Sequence, residues 1–400
     1  MSGVPVTLTT RTVTAPGAAP AGAPAGRPVA GGEPAAGPEA VRLLPTRGEL
    51  ADVVARTDAG GDHRAGAVPA PLTDGFGRVH RDLRVSLTDK CSLRCTYCMP
   101  EDAGPFMPKD ELLDASQIER LVRIAVDHGI TGVRLTGGEP LLRADLEDIV
   151  ARLAAIGLPG GGRLPVAMTT NGISLDRRLP ALVAAGLSRV NISLDTLRPD
   201  RFRELTRRDR HADVLAGIAA AREVGLRPLK LNAVAMRGVN DDELADLVAF
   251  AVSQDAQMRF IEQMPLDAGH TWRRDHLVSG EEILERLAER FELAEVPGRG
   301  SSPAALYTVD GGPHTVGVIA SVSAPFCGDC DRLRFTADGQ LRNCLFAREE
   351  TDLRTLLGEG ATDAELAAAM RLSVAAKRAG HGIDDPGFVQ PGRGMNAIGG

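Results

Sequence analysis

Six short apolar runs, each followed by a helical pattern, constrain this 400-residue chain more than any other feature. They lie at 83–88 (LRVSLT), 132–136 (GVRLT), 165–169 (PVAMT), 189–194 (RVNISL), 229–235 (LKLNAVA) and 257–262 (QMRFIE). The helical patterns fall near 116–128, 144–156, 177–185, 211–224, 241–252 and 280–290. In the first, Ile118, Leu121, Val122 and Ala125 share a face, Ser116 and Glu119 read as a capping box, and Gly129 suits the stop. Strands alternating with helices predict an α/β fold with a parallel sheet under a helical layer. Eight units would close a barrel. Six predict an incomplete (β/α)6 TIM-type barrel with a side opening, and an open doubly wound sheet is the alternative.

The first strand runs into Cys91-Ser-Leu-Arg-Cys95-Thr-Tyr-Cys98. Three thiolates this close can hold three corners of a four-iron cubane and leave one iron open for a ligand. A zinc site with a fourth ligand from elsewhere is the alternative. The other three cysteines are Cys327, Cys330 and Cys344, spaced CxxCx13C. They read as a second open-iron cluster, or as a structural zinc site completed by His314 or His381. A disulfide framework is disfavoured in a chain of this length without a secretory signal.

A net charge of −7 disfavours nucleic acid as the main partner, whereas a small anion held by local arginines remains open. No apolar run of transmembrane length occurs, and the chain reads as cytoplasmic and without a membrane partner. Ala, Gly and Pro dominate the first forty residues, so 1–70 reads as a disordered extension with one short helical pattern at 41–56. The expected domains are that extension, 74–295 as the partial barrel, and 296–400 as a C-terminal cluster-binding extension and tail.

In parallel β/α folds chemistry gathers where strands end. Here those positions carry Arg134, Thr136-Gly137-Gly138-Glu139-Pro140, Thr169, Asn191, Ser193, Asp195, Lys230, Asn232, Arg259, Glu262 and Met264. Arg134, Lys230 and Arg259 sit among apolar neighbours, where a charge needs a partner or a ligand. Salt bridges to Glu139, Asp195 or Glu262 are the structural alternative. The Gly-Gly pair either relieves a tight turn or lets backbone approach a ligand.

The cysteine motif with Tyr97, followed by Gly-Gly-Glu-Pro after the next strand, resembles the radical S-adenosylmethionine (SAM) superfamily. LRVSLTDKCSLRCTYCMP, VRLTGGEPLLR, TTNG, NISLD, the second triad, Cys330-Asp-Arg332-Leu-Arg334 and the terminal Gly399-Gly400 resemble one family within it, the GTP 3′,8-cyclases that begin molybdenum cofactor synthesis. The resemblance spans roughly 74–400. It implies two [4Fe-4S] clusters, on Cys91, Cys95 and Cys98 and on Cys327, Cys330 and Cys344. It implies SAM contacts at Tyr97, Gly138, Ser193 and Met264. It implies GTP contacts at Arg84, Arg134, Thr169, Lys230, Arg259, Arg332, Leu333 and Arg334, and a catalytic tail at Gly399 and Gly400. The implied reaction cleaves SAM with one electron, takes a hydrogen from the ribose 3′ carbon of GTP and joins that carbon to guanine C8. The product is (8S)-3′,8-cyclo-7,8-dihydroguanosine 5′-triphosphate, and the second cluster binds the guanine. An electron donor and, through the product, a downstream cyclic pyranopterin monophosphate synthase are implied partners, and a homodimer is compatible with the family.

The chain departs from the family pattern at three places. Gly132 stands where members often carry a lysine. Ser92 replaces a common Asn. The 157–162 loop reads as a surface insertion. Two other readings remain at this point: a radical SAM enzyme acting on a peptide, and a non-catalytic iron–sulfur or zinc scaffold.

Overall fold

The computed structural model describes residues 41–59, 69–267 and 269–399. The chain begins with β1 (Val41–Leu43) and α1 (Arg47–Ala59). The alternation follows as β2 (Asp82–Ser86), α2 (Ala115–Asp127), β3 (Gly132–Thr136), α3 (Leu146–Ala154), β4 (Val166–Thr170), α4 (Leu175–Ala184) and β5 (Leu187–Ser193). It continues through α5 (Pro199–Thr206), α6 (His211–Val224), β6 (Leu229–Ala235), α7 (Leu244–Ser253), β7 (Ala256–Glu262) and α8 (Gly280–Ala288). The last third adds β8 (Leu293–Val296), β9 (Ala305–Val309), β10 (Thr315–Ile319), β11 (Arg332–Phe335), β12 (Gln340–Arg342) and β13 (Glu349–Asp352). It ends in α9 (Leu353–Gly358), α10 (Asp363–Ala375) and the single turn α11 (Met395–Ile398).

All these strands belong to one sheet, ordered β1-β13-β12-β11-β2-β3-β4-β5-β6-β7-β10-β9-β8. The six expected strands are parallel and adjacent in chain order. The expected boundary at 295/296 does not break the sheet. β10 joins β7 in parallel at one edge, and β11 joins β2 in parallel at the other. The C-terminal third therefore flanks the central strands on both sides.

Side chains on successive strand residues point to opposite faces, and here the two faces differ in chemistry. Leu83, Val85, Val133, Leu135, Val166, Met168, Val190, Ile192, Leu231, Met258 and Phe260 pack into one hydrophobic core with Ile118, Leu121, Leu153, Leu179, Ile218, Leu247 and Ile283 of the helices. Each such aliphatic side chain contributes about 1.5–3 kcal/mol on burial. The intervening residues, Arg84, Arg134, Thr169, Asn191, Ser193, Asn232 and Arg259, line a cavity on the other face.

Three expectations need correction. The capping box of α2 is Asp114 with Gln117, not Ser116 with Glu119. The Asp114 side chain accepts from the Gln117 N–H, and the Gln117 side chain accepts from the Asp114 N–H. The cap thus lies two residues earlier, because the Asp114 carboxylate accepts the Gln117 N–H and also ties up the Ser116 hydroxyl. Within the block expected to be disordered, β1 pairs with β13, and Leu50 of α1 is fully buried beside α10. Its Leu, Val and Leu pattern finds an apolar partner that local composition cannot reveal. The remainder, residues 1–40 and 60–68, lies outside the described residues. The loop at 157–162 is an exposed excursion as expected, closed by a bridge between Gly157 and Arg163.

The C-terminal strands are pinned by a buried ionic network. Arg342 pairs with Glu350, both side chains being wholly buried, and Arg393 pairs with Glu350 and with Asp338. Removing one partner strands the others in a low-dielectric interior. We expect Glu350→Ala to lower stability by about 3–5 kcal/mol, measured as the shift of a urea unfolding midpoint at constant slope.

Candidate active site

One cavity of about 320 Å³ collects most of the predicted residues; Lys230, Leu333, Cys327, Cys330 and Cys344 are not among those that line it. It is lined by Arg84, Cys91, Cys95, Tyr97, Cys98, Arg134, Gly138, Thr169, Ser193, Arg259, Met264, Arg332 and Arg334, from strands β2 to β7 and β11.

The first triad occupies one end. Its loop is tied to the end of α5 by Arg94 N–H to the Thr206 carbonyl (2.9 Å) and Thr96 N–H to the Leu205 carbonyl (3.0 Å). The Gly-Gly-Glu-Pro turn clamps it from the other side. Gly138 N–H donates to the Thr88 carbonyl (2.6 Å) and Glu139 N–H to the Lys90 carbonyl (2.7 Å). A Cβ at Gly138 would strike the Lys90 and Asp89 carbonyl oxygens, so the close approach of two backbones requires glycine there. Glu139 is 1% exposed and joins neighbouring strand ends, accepting from Thr170 Oγ1 (2.7 Å) and from the Leu141 and Asn171 N–H groups.

The three thiols all line the cavity, and burial pushes Cys91 up to about 11 and Cys98 up to about 12. Without a cation, such groups keep their protons at neutral pH. A bound metal would supply the positive charge that replaces those protons. Leu93 N–H points at Cys91 Sγ (3.5 Å), and Asn171 bridges to Ser92 Oγ (3.0 Å). The Tyr97 hydroxyl donates to Asp195 Oδ2 (2.8 Å), while Asp195 Oδ1 accepts the Val234 N–H. Burial raises the Asp195 carboxyl to about 6.

The middle of the cavity is cationic. Burial, with Arg332 next, pushes the Arg84 guanidinium down to about 10. Burial does the same to Arg134 and Arg259, each down to about 10. Burial and then Arg259, Arg134 and Arg189 push Lys230 down to about 7. The three carboxylates that the structural alternative would have paired with these groups have other partners. Glu139 and Asp195 are engaged as above. Glu262 accepts from the Gly280, Val322 and Ser323 N–H groups and the Ser323 hydroxyl. Among the described residues, Arg84 Nε and Arg134 Nη1 are buried without a partner. Arg332 pairs with Asp82 (3.2 Å) and lies over the Phe326 ring (4.7 Å).

The second triad brackets β11 and β12 in the chain. Cys327 and Cys330 bracket one short turn, and Cys344 follows β12. Burial raises the Cys344 thiol, and Cys330 and Cys327 add to it. His381, a zinc-ligand alternative, has both ring nitrogens engaged, with the Ser321 carbonyl and the Ile383 N–H. His314 sits at the start of β10, in the turn after β9. Leu333 is the one predicted GTP contact whose side chain turns away. It is 2% exposed and belongs to the hydrophobic core, as strand alternation requires between Arg332 and Arg334.

The tail reaches this site. Arg334 donates to the Gly399 carbonyl, and Ser86 Oγ donates to the Ile398 carbonyl (3.0 Å). Gly399 has φ +89°, and a Cβ there would strike Ser86 Oγ and lie 2.5 Å from Thr136 Oγ1. Met264, Cys344, Met395 and Ile398 meet in one small apolar cluster. Gly400 lies outside the described residues. Sequence reasoning missed Arg189, although it stands two and four residues before Asn191 and Ser193 at strand period. It also missed Lys377, which nothing local distinguishes.

We expect Gly399→Ala to unseat the tail while the iron content is unchanged. Faster amide hydrogen exchange over 393–399 would report the release; unchanged exchange would mean that the cradle tolerates a methyl group.

Two family models match in succession, Radical SAM superfamily over residues 85–251 and Molybdenum Cofactor Synthesis C over 256–383. The chain is 59% identical over 332 residues to the GTP 3′,8-cyclase of Streptomyces coelicolor, covering 82% of this chain and 96% of that protein. It is 50% identical over 368 residues to the GTP 3′,8-cyclase of Corynebacterium glutamicum, covering 89% and 97%, and 53% identical over 350 residues to that of Mycolicibacterium smegmatis, covering 85% and 96%. Two matched models in order and relatives this similar along nearly their whole length show that the chain belongs to the GTP 3′,8-cyclase family of radical SAM enzymes.

Proposed function

We propose that this chain is the GTP 3′,8-cyclase of molybdenum cofactor synthesis, with GTP held between two [4Fe-4S] clusters inside an incomplete barrel. The observation that carries the reading is the row of buried cations with too few carboxylates, in a cavity that holds the first cysteine triad and has Cys330 close to Arg84. Like charges converging in a desolvated cavity are unfavourable until an anion joins them, and a triphosphate brings several negative charges. Eight neighbouring parallel strands, β11, β2 to β7 and β10, all contribute to the one cavity, which supports a sheet curved around it.

The residues fit the cofactors. Cys91, Cys95 and Cys98 would hold the first cluster, and Tyr97, Gly138, Ser193 and Met264 would surround SAM. When bound, cluster and SAM supply one-electron chemistry able to remove a hydrogen atom from the nucleotide. Cys327, Cys330 and Cys344 would hold the second cluster, beside Phe326 and Arg332, where the guanine would lie. Arg84, Arg134, Thr169, Lys230, Arg259, Arg332 and Arg334 would grip the nucleotide, and their fixed strand positions would align its ribose with the SAM end. The Gly399 carbonyl accepts from Arg334, so the tail would lie against that grip. The side chains exclude water and neutralise charge; the cofactors do the hydrogen transfer.

A cytoplasmic setting with a small electron donor suits oxygen-sensitive clusters, and the product would pass to a cyclic pyranopterin monophosphate synthase. No helix among the described residues is long and apolar enough to cross a membrane.

Anaerobic reconstitution followed by SAM, reductant and GTP tests the reading. We expect GTP-dependent 5′-deoxyadenosine and a cyclised nucleotide of unchanged mass formula by mass spectrometry. SAM cleavage indifferent to GTP would point to another radical SAM substrate instead.

A second expectation concerns pH. Lys230 titrates near 7 in the free protein, and a bound triphosphate favours its charged form. GTP binding should therefore take up a proton above pH 7, and affinity should fall by up to about tenfold per pH unit as pH rises from there. Calorimetry in buffers of different ionisation enthalpy measures this uptake. Lys230→Met should abolish it, and persistence in that variant would assign the proton elsewhere.

A further inference from the structure

Lys377 lies just past α10, 5% exposed, and no carboxylate pairs with it among the described residues. Its Nζ is 2.9 Å from His80 Nε2, 2.9 Å from the Arg332 carbonyl, and 3.6 Å from Cys330 Sγ. His80 is fully buried, and its Nδ1 meets the Leu72 carbonyl at 3.2 Å. A carbonyl only accepts, so Nδ1 carries the ring proton and Nε2 offers a lone pair. Asp74, the nearest carboxylate to that ring, stands 3.8 Å from Nε2 and is bonded to Arg78 (2.6 Å). With the Cys330 carbonyl at 3.4 Å, four acceptors surround Nζ, enough to use all three donors of an ammonium. Arg78 adds a second cation at this end by donating to the Cys327 carbonyl.

An ammonium this deep, without a carboxylate, is costly unless another anion faces it. The groups that can carry negative charge toward it are Cys330 and Cys344. Three thiolates on a cubane supply net negative charge at that place.

We propose that Lys377 is the charge partner of the second cluster, donating to Cys330 Sγ and raising that cluster's reduction potential. The proposal rests on the reading of Cys327, Cys330 and Cys344 as cluster ligands. Lys377 does not reach the cavity that would hold GTP, so its effect passes through the cluster. A fixed positive charge and a hydrogen bond to a ligand sulfur both stabilise the reduced, more negative state. His80 and the Arg332 carbonyl hold the ammonium in place. The same carbonyl belongs to a residue that lines the cavity, so the lysine ties the cluster to the nucleotide grip.

The test uses the full chain with Cys91→Ala, Cys95→Ala and Cys98→Ala, so that every iron reports on the second triad. Iron and sulfide content and an electron paramagnetic resonance titration against redox mediators are measured for this parent and for Lys377→Met, Lys377→Gln and Lys377→Arg. We expect the same iron content in all, a lower midpoint potential in the Met and Gln variants, and a near-parental midpoint in the Arg variant. Loading lost in Met and Gln but kept in Arg would equally support a charge partner. An unchanged potential in a loaded Met or Gln variant would overturn the proposal, as would loss of loading in all three variants. A parent that binds no iron would instead overturn the second cluster itself, and the lysine with it.

Discussion

Buried positive charge without matching negative charge is the constraint on which this structure turns. A parallel β/α sheet hides one face under helices and lets the other face whatever the cavity contains. Here the hidden face is Leu, Val, Ile, Met and Phe, and the open face is arginine, lysine, asparagine, serine and threonine. Asp82 is the acid shared by Arg84, Arg134 and Arg332, and the other acids of the strand ends are used as fasteners: Glu139 across the ends of β3 and β4, Asp195 between Tyr97 and β6, Glu262 between β7 and the start of α8. Their bonds to backbone N–H groups hold the strand ends in register and leave the guanidinium groups unneutralised. The architecture is stable around a cavity that is electrostatically incomplete.

The tail belongs to the same logic. Arg393 is held by Asp338 in the β11–β12 turn and by Glu350 on β13, and six residues later Gly399 lies against Ser86, Thr136 and Arg334. A terminal segment is usually the least ordered part of a chain. This one is anchored by a buried ionic network at its base and by the apolar side chain of Ile398 near its tip. The anchoring energy comes from groups outside the cavity, so the glycine can approach the arginine without a side chain of its own.

Much of this was legible in the sequence. The six central strands were found to within two or three residues, because Val-, Ile- and Leu-rich runs bounded by turns carry their own signature. The cysteines and the Gly-Gly turn were legible because metal chemistry and close backbone approach restrict residue choice. What escaped was long-range. α5 has only eight residues, three of them buried, and offers little periodicity. β1 and β11 find their partners roughly 300 and 250 positions away in the chain. Asp114 displaced Ser116 as the cap because cap choice is a competition between neighbours, which composition does not rank. Arg189 and Lys377 are single cations whose meaning depends on what folds against them. Leu333, between two functional arginines, shows that adjacency in sequence is opposition in a strand.

The pairing of β11 with β2 has a consequence for biosynthesis. Asp82 and Arg332, paired across that seam, are 250 residues apart. At roughly 5–20 residues per second, a ribosome leaves the outer edge of β2 without its partner for on the order of ten seconds or longer. An unpaired strand edge invites association with other chains. The cysteines just after β2 are made early in that interval, and the strand that shields their neighbourhood arrives near its end. The nascent chain thus carries Cys91, Cys95 and Cys98 through that interval while the outer edge of β2 is still unpaired.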